Sequence, residues 1–160
     1  MFSKKIIKKI PIIKRLYPSL MKRFYNNKII RFKFFGIELE GNINEPMDKE
    51  IFLFNSYENF QIKFLIKNLK KYNSDYFIDI GANSGIYSLI VRNKFQKIII
   101  KSFEPVKKTI IKFKKNLKLN KKLKNIKIYK FGLSNKNSQL LMRAKIRDGY
   151  IQSSGYGVVK

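Results

Sequence analysis

The sequence predicts an α/β chain built on a Rossmann-like parallel sheet, and three observations carry that prediction. The apolar run Tyr-Phe-Ile-Asp-Ile at 76–80 leads directly into Gly-Ala-Asn-Ser-Gly at 81–85. A second apolar run closes on Ser-Phe-Glu-Pro at 102–105. The stretches between and after these runs are apolar at helical spacing, so the order is strand, helix, strand, helix, strand. Such a sheet presents a nucleoside-containing ligand to the carboxyl ends of adjacent strands.

The elements follow in chain order. Residues 3–25 place Ile6, Ile7, Ile10, Ile13, Tyr17, Leu20, Met21 and Phe24 along one helical face with lysines opposite, and Pro11 and Pro18 are expected to break that helix into short pieces. Alternation of Ile30, Phe32 and Phe34, then Ile37 and Leu39, about Gly36 predicts a β-hairpin over 28–41. Residues 42–56 read as a connector, with Pro46 and polar neighbours around a short apolar run at 51–54. Over 57–72, Phe60, Phe64, Leu65 and Leu69 recur at helical spacing. The first core strand, 76–80, is apolar on both faces, as a buried parallel strand should be. A helix is expected over 84–93, a second strand over 98–103, and a helix over 107–119 with Ile110, Ile111, Phe113 and Leu117 on its apolar side. Asn120 stops that helix and a third strand occupies 126–131. Gly132-Leu133-Ser134-Asn135 reads as a turn, 140–146 as a further, antiparallel strand, and 148–160 shows no period. The chain thus divides into a basic N-terminal helix and hairpin segment, 1–56, and the N-terminal portion of a Rossmann-like domain, 57–160.

Composition narrows the chemistry. A chain of 160 residues suffices for one domain with a real core. It has no cysteine and no histidine, which excludes disulfides, thiolate or imidazole metal sites and an imidazole base. No metal is expected, and acid–base work falls to carboxylates, lysine, tyrosine or the substrate. The lack of cysteine fits a reducing compartment, and a cytoplasmic location is expected. The net charge of +26, from 36 basic and 10 acidic residues, has two readings. One is a nucleic-acid or anionic-membrane surface. The other is compositional bias, because nearly all the bases are lysines spread along the whole chain beside abundant Ile, Asn, Phe and Tyr. Arginine, the better reader of phosphates and base edges, is scarce, so no specific nucleic-acid partner is expected. The basic N-terminal helix either packs on the domain or associates weakly with an anionic membrane. It is too charged to span a bilayer and lacks the apolar core of a signal peptide.

Only ten acids occur, yet two of them, Asp79 and Glu104, close the first two core strands. Asp79 can accept hydrogen bonds from loop amides and lie near a cationic ligand group. Gly81 permits the tight turn, Ala82 is small, Gly85 lets backbone approach a ligand, and Asn83 either bonds the ligand or braces the loop. Glu104 can accept both hydroxyls of a ribose. A dinucleotide would call for G-x-G-x-x-G, but Asn83 and Ser88 stand where the second and third glycines belong. The loop suits S-adenosylmethionine, which carries no phosphate.

Phe-Ile-Asp-Ile-Gly-Ala-Asn-Ser-Gly-Ile-Tyr-Ser, then Ser-Phe-Glu-Pro, Asn116-Leu-Lys-Leu-Asn120 and Gly132-Leu-Ser-Asn together resemble the FkbM family of S-adenosylmethionine-dependent methyltransferases over roughly residues 55–155. Tyr57-Glu58 and Ser153-Ser154 resemble it more weakly. The resemblance implies a methyltransferase fold and O-methylation of a sugar or other small-molecule hydroxyl, the acceptor being the partner. It implies that Asp79, Gly81, Asn83 and Glu104 hold the cofactor, with Glu58, Leu133 and Ser134 lining the same pocket. It names no catalytic base, and Asp148 is a weak candidate. The family continues into a strand bearing Asp-x-Glu-Gly-x-Glu, which this sequence lacks. The resemblance therefore implies a fragment or a truncated product, and leaves an RNA methyltransferase or a non-catalytic cofactor-binding remnant as alternatives.

Overall fold

The computed structural model describes residues 11–26, 28–144, 146–147, 150–151 and 156–159. Asp148, Ser153 and Ser154 lie outside the described residues, as does the start of the expected N-terminal helix. Helix α1 (Pro11–Tyr25) runs through Pro18 without a break, correcting the expectation of short pieces. A proline costs a helix interior about 3 kcal/mol, and burial at the helix's far end offsets it. There Tyr17, Met21 and Tyr25 pack against the core, with Tyr17 6.5 Å from Phe54 and Tyr25 5.3 Å from Phe52, centroid to centroid. Leu20 and Phe24, expected on the packed face, point outward instead.

Strands β1 (Ile29–Phe34) and β2 (Ile37–Asn42) form the expected antiparallel hairpin. Phe35 and Gly36 both take positive φ in its two-residue turn, whose twist matches that of the strands. The stretch read as a connector contains helix α2 (Pro46–Phe54), with Pro46 in its first turn and Met47, Ile51, Leu53 and Phe54 buried. Proline punctuates this segment by starting a helix, a position where its missing N–H costs nothing.

Helix α3 (Asn59–Lys71) buries Ile62 and Leu69. Phe60 and Phe64, assigned to its core face by spacing, are exposed and stack on each other at 6.3 Å. Then come β3 (Tyr76–Ile80), α4 (Ile86–Lys94), β4 (Ile99–Phe103), α5 (Lys107–Leu119, capped at Asn120) and β5 (Ile126–Tyr129). The three strands are parallel and adjacent in chain order, β3-β4-β5. This is one half of a Rossmann-like sheet. The region read as a single further strand holds two short ones, β6 (Met142–Arg143) and β7 (Ile146–Arg147). Each pairs antiparallel, with β9 (Gly157–Val158) and β8 (Tyr150–Ile151) respectively.

Register divides the parallel sheet into two unequal faces. Phe77, Asp79, Ile100, Ser102, Ile126 and Ile128 share the face covered by α4. Tyr76, Ile78, Ile80, Ile99 and Phe103 share the other, where Ile78 is 55% and Ile80 67% exposed. The expectation that β3 is buried on both sides is therefore corrected. Among the described residues β3 is also a sheet edge, paired with β4 alone. On the open face the Phe103 and Tyr129 rings stack at 4.6 Å and Phe131 meets both edge-on.

The main core joins both halves of the chain: Ile37, Leu39 and Ile43 from the hairpin, Ile51 and Leu53 from α2, Ile86, Leu89 and Ile90 from α4, and Phe113 from α5. Polar groups lock the same layers. Asn116 and Asn120, one turn apart on α5, bond the open edge of β2: Asn116 Oδ1 accepts from Glu40 N at 3.0 Å, and Asn120 takes both Glu38 N and Glu38 O at 2.9 and 2.7 Å. Asp48 on α2 is 2% exposed and accepts from Asn42 N and from Lys112 Nζ on α5. Burial pushes its carboxyl above the ordinary value even though Lys112 pulls the other way. Arg92 is buried with its guanidinium on the carbonyls of Gln96, Ile98 and Asn125, pinning the end of α4 to the starts of β4 and β5.

Candidate functional site: a carboxylate-lined cavity

The loop at 81–85 and the helix it opens form the floor of a cavity of about 380 Å³. Its lining comprises Met47 of α2, Tyr57 and Glu58 before α3, Asp79 and Ile80 of β3, Gly81 to Ser84, and Ile86 and Tyr87 of α4. Of the sequence-predicted residues, Glu58, Asp79, Gly81, Ala82 and Asn83 meet there. Gly85, Glu104, Leu133 and Ser134 are not in the lining.

Each acid is held by a specific partner. Asp79 ends β3 facing α4, where Ser88 donates its hydroxyl to Oδ2 at 2.6 Å and its backbone N–H as well. Asp79 thereby caps the amino end of α4, where a negative charge is favourable. Ser88 Oγ also bonds Ser102 Oγ of β4 at 2.7 Å. Burial, and to a lesser degree the charge of Glu104, push the Asp79 carboxyl above its ordinary value, while the Ser88 bonds oppose this.

Glu104 is 6% exposed and lies beneath the loop. Its Oε2 accepts from Asn83 N and its Oε1 from Val106 N, both at 2.8 Å. In this geometry the residue expected to meet a ribose ties the loop to the start of α5. Gly85, expected to admit a ligand, serves packing: its φ is +79°, and a Cβ there would overlap the Phe113 ring of α5. Gly81, at φ +76°, has open space on that side, so it is the glycine that faces the cavity. Leu133 and Ser134 are exposed, and the adjacent Gly132 lies against Pro105.

Sequence reasoning missed Tyr87, which donates its hydroxyl to Glu58 Oε2 at 2.6 Å. The two are far apart in sequence and meet only because α3 and α4 pack together. Sequence reasoning also left Asn116 without a role, though its amide donates to Ser84 O at 3.0 Å and so braces the loop from α5. Burial and the neighbouring Glu58 push the Tyr57 phenol up to about 12, and the same causes raise Tyr87. Both hydroxyls stay protonated at neutral pH and act as donors. Glu58 itself takes a left-handed backbone, φ 44°, a conformation costing a non-glycine residue about 1 kcal/mol or more. Asn83 Oδ1 is buried with no hydrogen-bond partner.

The electrostatic character follows from the lining. Among the described residues it contains two carboxylates and no lysine or arginine, in a chain with 36 basic residues. A second cavity, of about 240 Å³ between the hairpin and α5, is mixed: Lys108 pairs with Glu45, Lys112 with Asp48 and Lys115 with Glu40. The cavity at the strand ends can therefore accept a cationic ligand with hydrogen-bond donors, and it offers a pyrophosphate no counter-charge.

Comparison with known proteins finds partial likenesses to methyltransferases. Over 86 residues the chain is 34% identical to a protein named Methyltransferase sdnD from Sordaria araneosa, a match covering 54% of this chain and 30% of that protein. The crystal structure of a SAM-dependent methyltransferase from Agrobacterium tumefaciens aligns with 64% of this chain and 32% of its own, at 13% identity and a TM-score of 0.49. That structural likeness is too partial to fix the fold, which rests on the strand order described above. No protein-family profile matches the chain. Over about half of its length, then, the chain is similar to a methyltransferase and spans under a third of it.

Proposed function

We propose that the cavity at the ends of β3 and β4 binds S-adenosylmethionine, and that the chain is the donor-binding part of a methyltransferase. One observation carries the reading: in a chain of net charge +26, the cavity on the glycine loop is lined by Glu58 and Asp79 and, among the described residues, by no basic one. A sulfonium cofactor with an ammonium group suits that field, whereas a phosphate-bearing dinucleotide does not. Asp79, Gly81, Ala82 and Asn83 form the loop under the ligand, with Glu58 on the opposite wall. Glu104 and Gly85 act from behind by holding the loop. The bound cofactor supplies an activated methyl group, so the protein's work is alignment and exclusion of water.

The acceptor we assign is a small-molecule hydroxyl, a sugar being the leading class, on the resemblance to the FkbM family. A hydroxyl must lose its proton as it attacks. Tyr57 and Tyr87 are poor bases for this, since neither ionises near neutral pH. Calorimetric titration with S-adenosylmethionine tests the donor site, and transfer of labelled methyl to a panel of glycosides tests the acceptor. Saturable 1:1 binding is expected. Failure to bind, with a nicotinamide dinucleotide binding instead, would overturn the reading.

A rival reading is an RNA acceptor, motivated by the spread of lysines. It requires RNA affinity that survives physiological salt. The outward row of α1, Ile12, Leu16, Leu20 and Phe24, is exposed at four-residue intervals and is accompanied by Arg15 and Arg23. We assign this row to weak contact with an anionic lipid surface. Sedimentation with vesicles of phosphatidylglycerol and phosphatidylcholine should show it, and Leu16→Glu should abolish it. Among the described residues no helix is long and apolar enough to cross a membrane.

A further inference from the structure

Resting on the donor-site reading, we infer that Glu58, with Asn83, forms a subsite for the ligand's ammonium group, and that Tyr87 is the residue positioning it. Three features of the cavity point there. Glu58 lines it from a left-handed backbone that places the carboxylate just before α3, a conformation that persists only where its surroundings fix it. Tyr87 lines it too and fixes that carboxylate through the 2.6 Å bond to Oε2. Asn83 of the loop lines it as well, and its Oδ1 is buried with no hydrogen-bond partner among the described residues.

Glu58 and the Asn83 amide oxygen are acceptors. A carboxylate has about four lone-pair sites, so the bond from Tyr87 leaves Glu58 acceptor capacity. A sulfonium has no N–H and responds only to the field around it. An ammonium brings three donors that seek oriented oxygens, which a carboxylate held by a tyrosine and an amide oxygen held by a braced loop supply. Glu104 and Asn116 fix the loop carrying Asn83, by its own amide and by Ser84 O. Tyr57, raised to about 12, adds a second protonated hydroxyl beside Glu58 and keeps the carboxylate in a donor-rich, non-basic setting.

The test compares three probes by calorimetry: S-adenosylmethionine (ammonium and sulfonium), S-adenosylhomocysteine (ammonium only) and 5′-methylthioadenosine (neither). Glu58→Gln is isosteric, and far-UV circular dichroism and a melting curve confirm that it folds. Loss of one charge-assisted hydrogen bond is expected to weaken the first two probes alike, by roughly 10-fold to 100-fold, and to leave 5′-methylthioadenosine unchanged. Tyr87→Phe should show the same pattern at smaller amplitude, a selectivity that merely structural damage would not reproduce. Weakening of S-adenosylmethionine alone would assign Glu58 to the sulfonium and overturn the inference. Equal weakening of all three probes, or no change in any, would overturn it too. If the unmutated chain binds none of them, the donor-site reading fails and this inference with it. Binding that ignores Glu58→Gln defeats the inference alone.

Discussion

Asp79 and Glu104 show what a residue's position reveals and what it hides. Their places at the ends of two strands were legible, because apolar runs closing on acids are rare in a chain with ten carboxylates. Their partners were not. Asp79 caps α4 through Ser88, and Glu104 holds the Asn83 and Val106 amides, relations that exist only once α4 and α5 fold back on the sheet. Removing Glu104 should strand those two amides. Glu104→Ala is expected to cost about 2–4 kcal/mol in urea denaturation and to weaken S-adenosylmethionine through a loosened loop. The glycines separate in the same way. Gly85→Ala should cost well over about 2 kcal/mol, combining positive φ with overlap of Phe113. Gly81→Ala should cost about 1 kcal/mol, for φ alone. Asp79 gives a pH signature with opposite signs. Its folded-state value is raised, so its ionisation is harder in the folded chain. Its contribution to stability is fullest below the ordinary value and is lost as pH rises through the raised one. Cation binding needs the ionised form and should weaken as pH falls through that same raised value. Titrations upward from the ordinary carboxylate range should show the binding limb disappear in Asp79→Asn.

At the scale of elements, the pattern of strands and helices from 57 to 129 was readable because periodicity switches cleanly between two and 3.6. The errors share one cause: local pattern says which residues are apolar but not which face meets a neighbour. Phe60 and Phe64 fit a helical stripe, yet α3 turns Ile62 and Leu69 inward. The stretch holding Pro46 read as a connector, yet Pro46 starts α2, while Pro18 is carried inside α1 because Tyr17, Met21 and Tyr25 dock. The Asn116–Asn120 pair gained its meaning from the hairpin edge that it covers and, for Asn116, from the loop carbonyl of Ser84. Asn116→Leu should leave Glu40 N and Ser84 O without those bonds and lower stability by about 2–3 kcal/mol in chemical denaturation. Asn120→Ala, which removes the two bonds to Glu38 of the hairpin and the amide's bond to Asn116 O, should destabilise the fold without changing ligand selectivity.

For the whole molecule, charge and shape divide cleanly. Four of the ten acids, Glu38, Glu40, Glu45 and Asp48, pair with bases around the hairpin and α5. Three others, Glu58, Asp79 and Glu104, gather at the glycine loop. The positive exterior thus surrounds one negative cavity. Among the described residues the parallel sheet is covered on one face, leaving Tyr76, Ile78 and Ile80 exposed on edge strand β3 and Phe131 exposed just after β5. Residues 1–160 alone should therefore enhance the fluorescence of an apolar dye strongly, and Ile78→Lys with Ile80→Lys should remove much of that signal. The central claim is that the acidic cavity at the glycine loop is a donor site. It is tested most directly by an amide NMR titration with S-adenosylmethionine at physiological salt. The account predicts saturable shifts concentrated at Glu58 and at Gly81, Ala82, Asn83 and Ser84. Shifts scattered over the lysine surfaces, with those five amides unmoved, would contradict it.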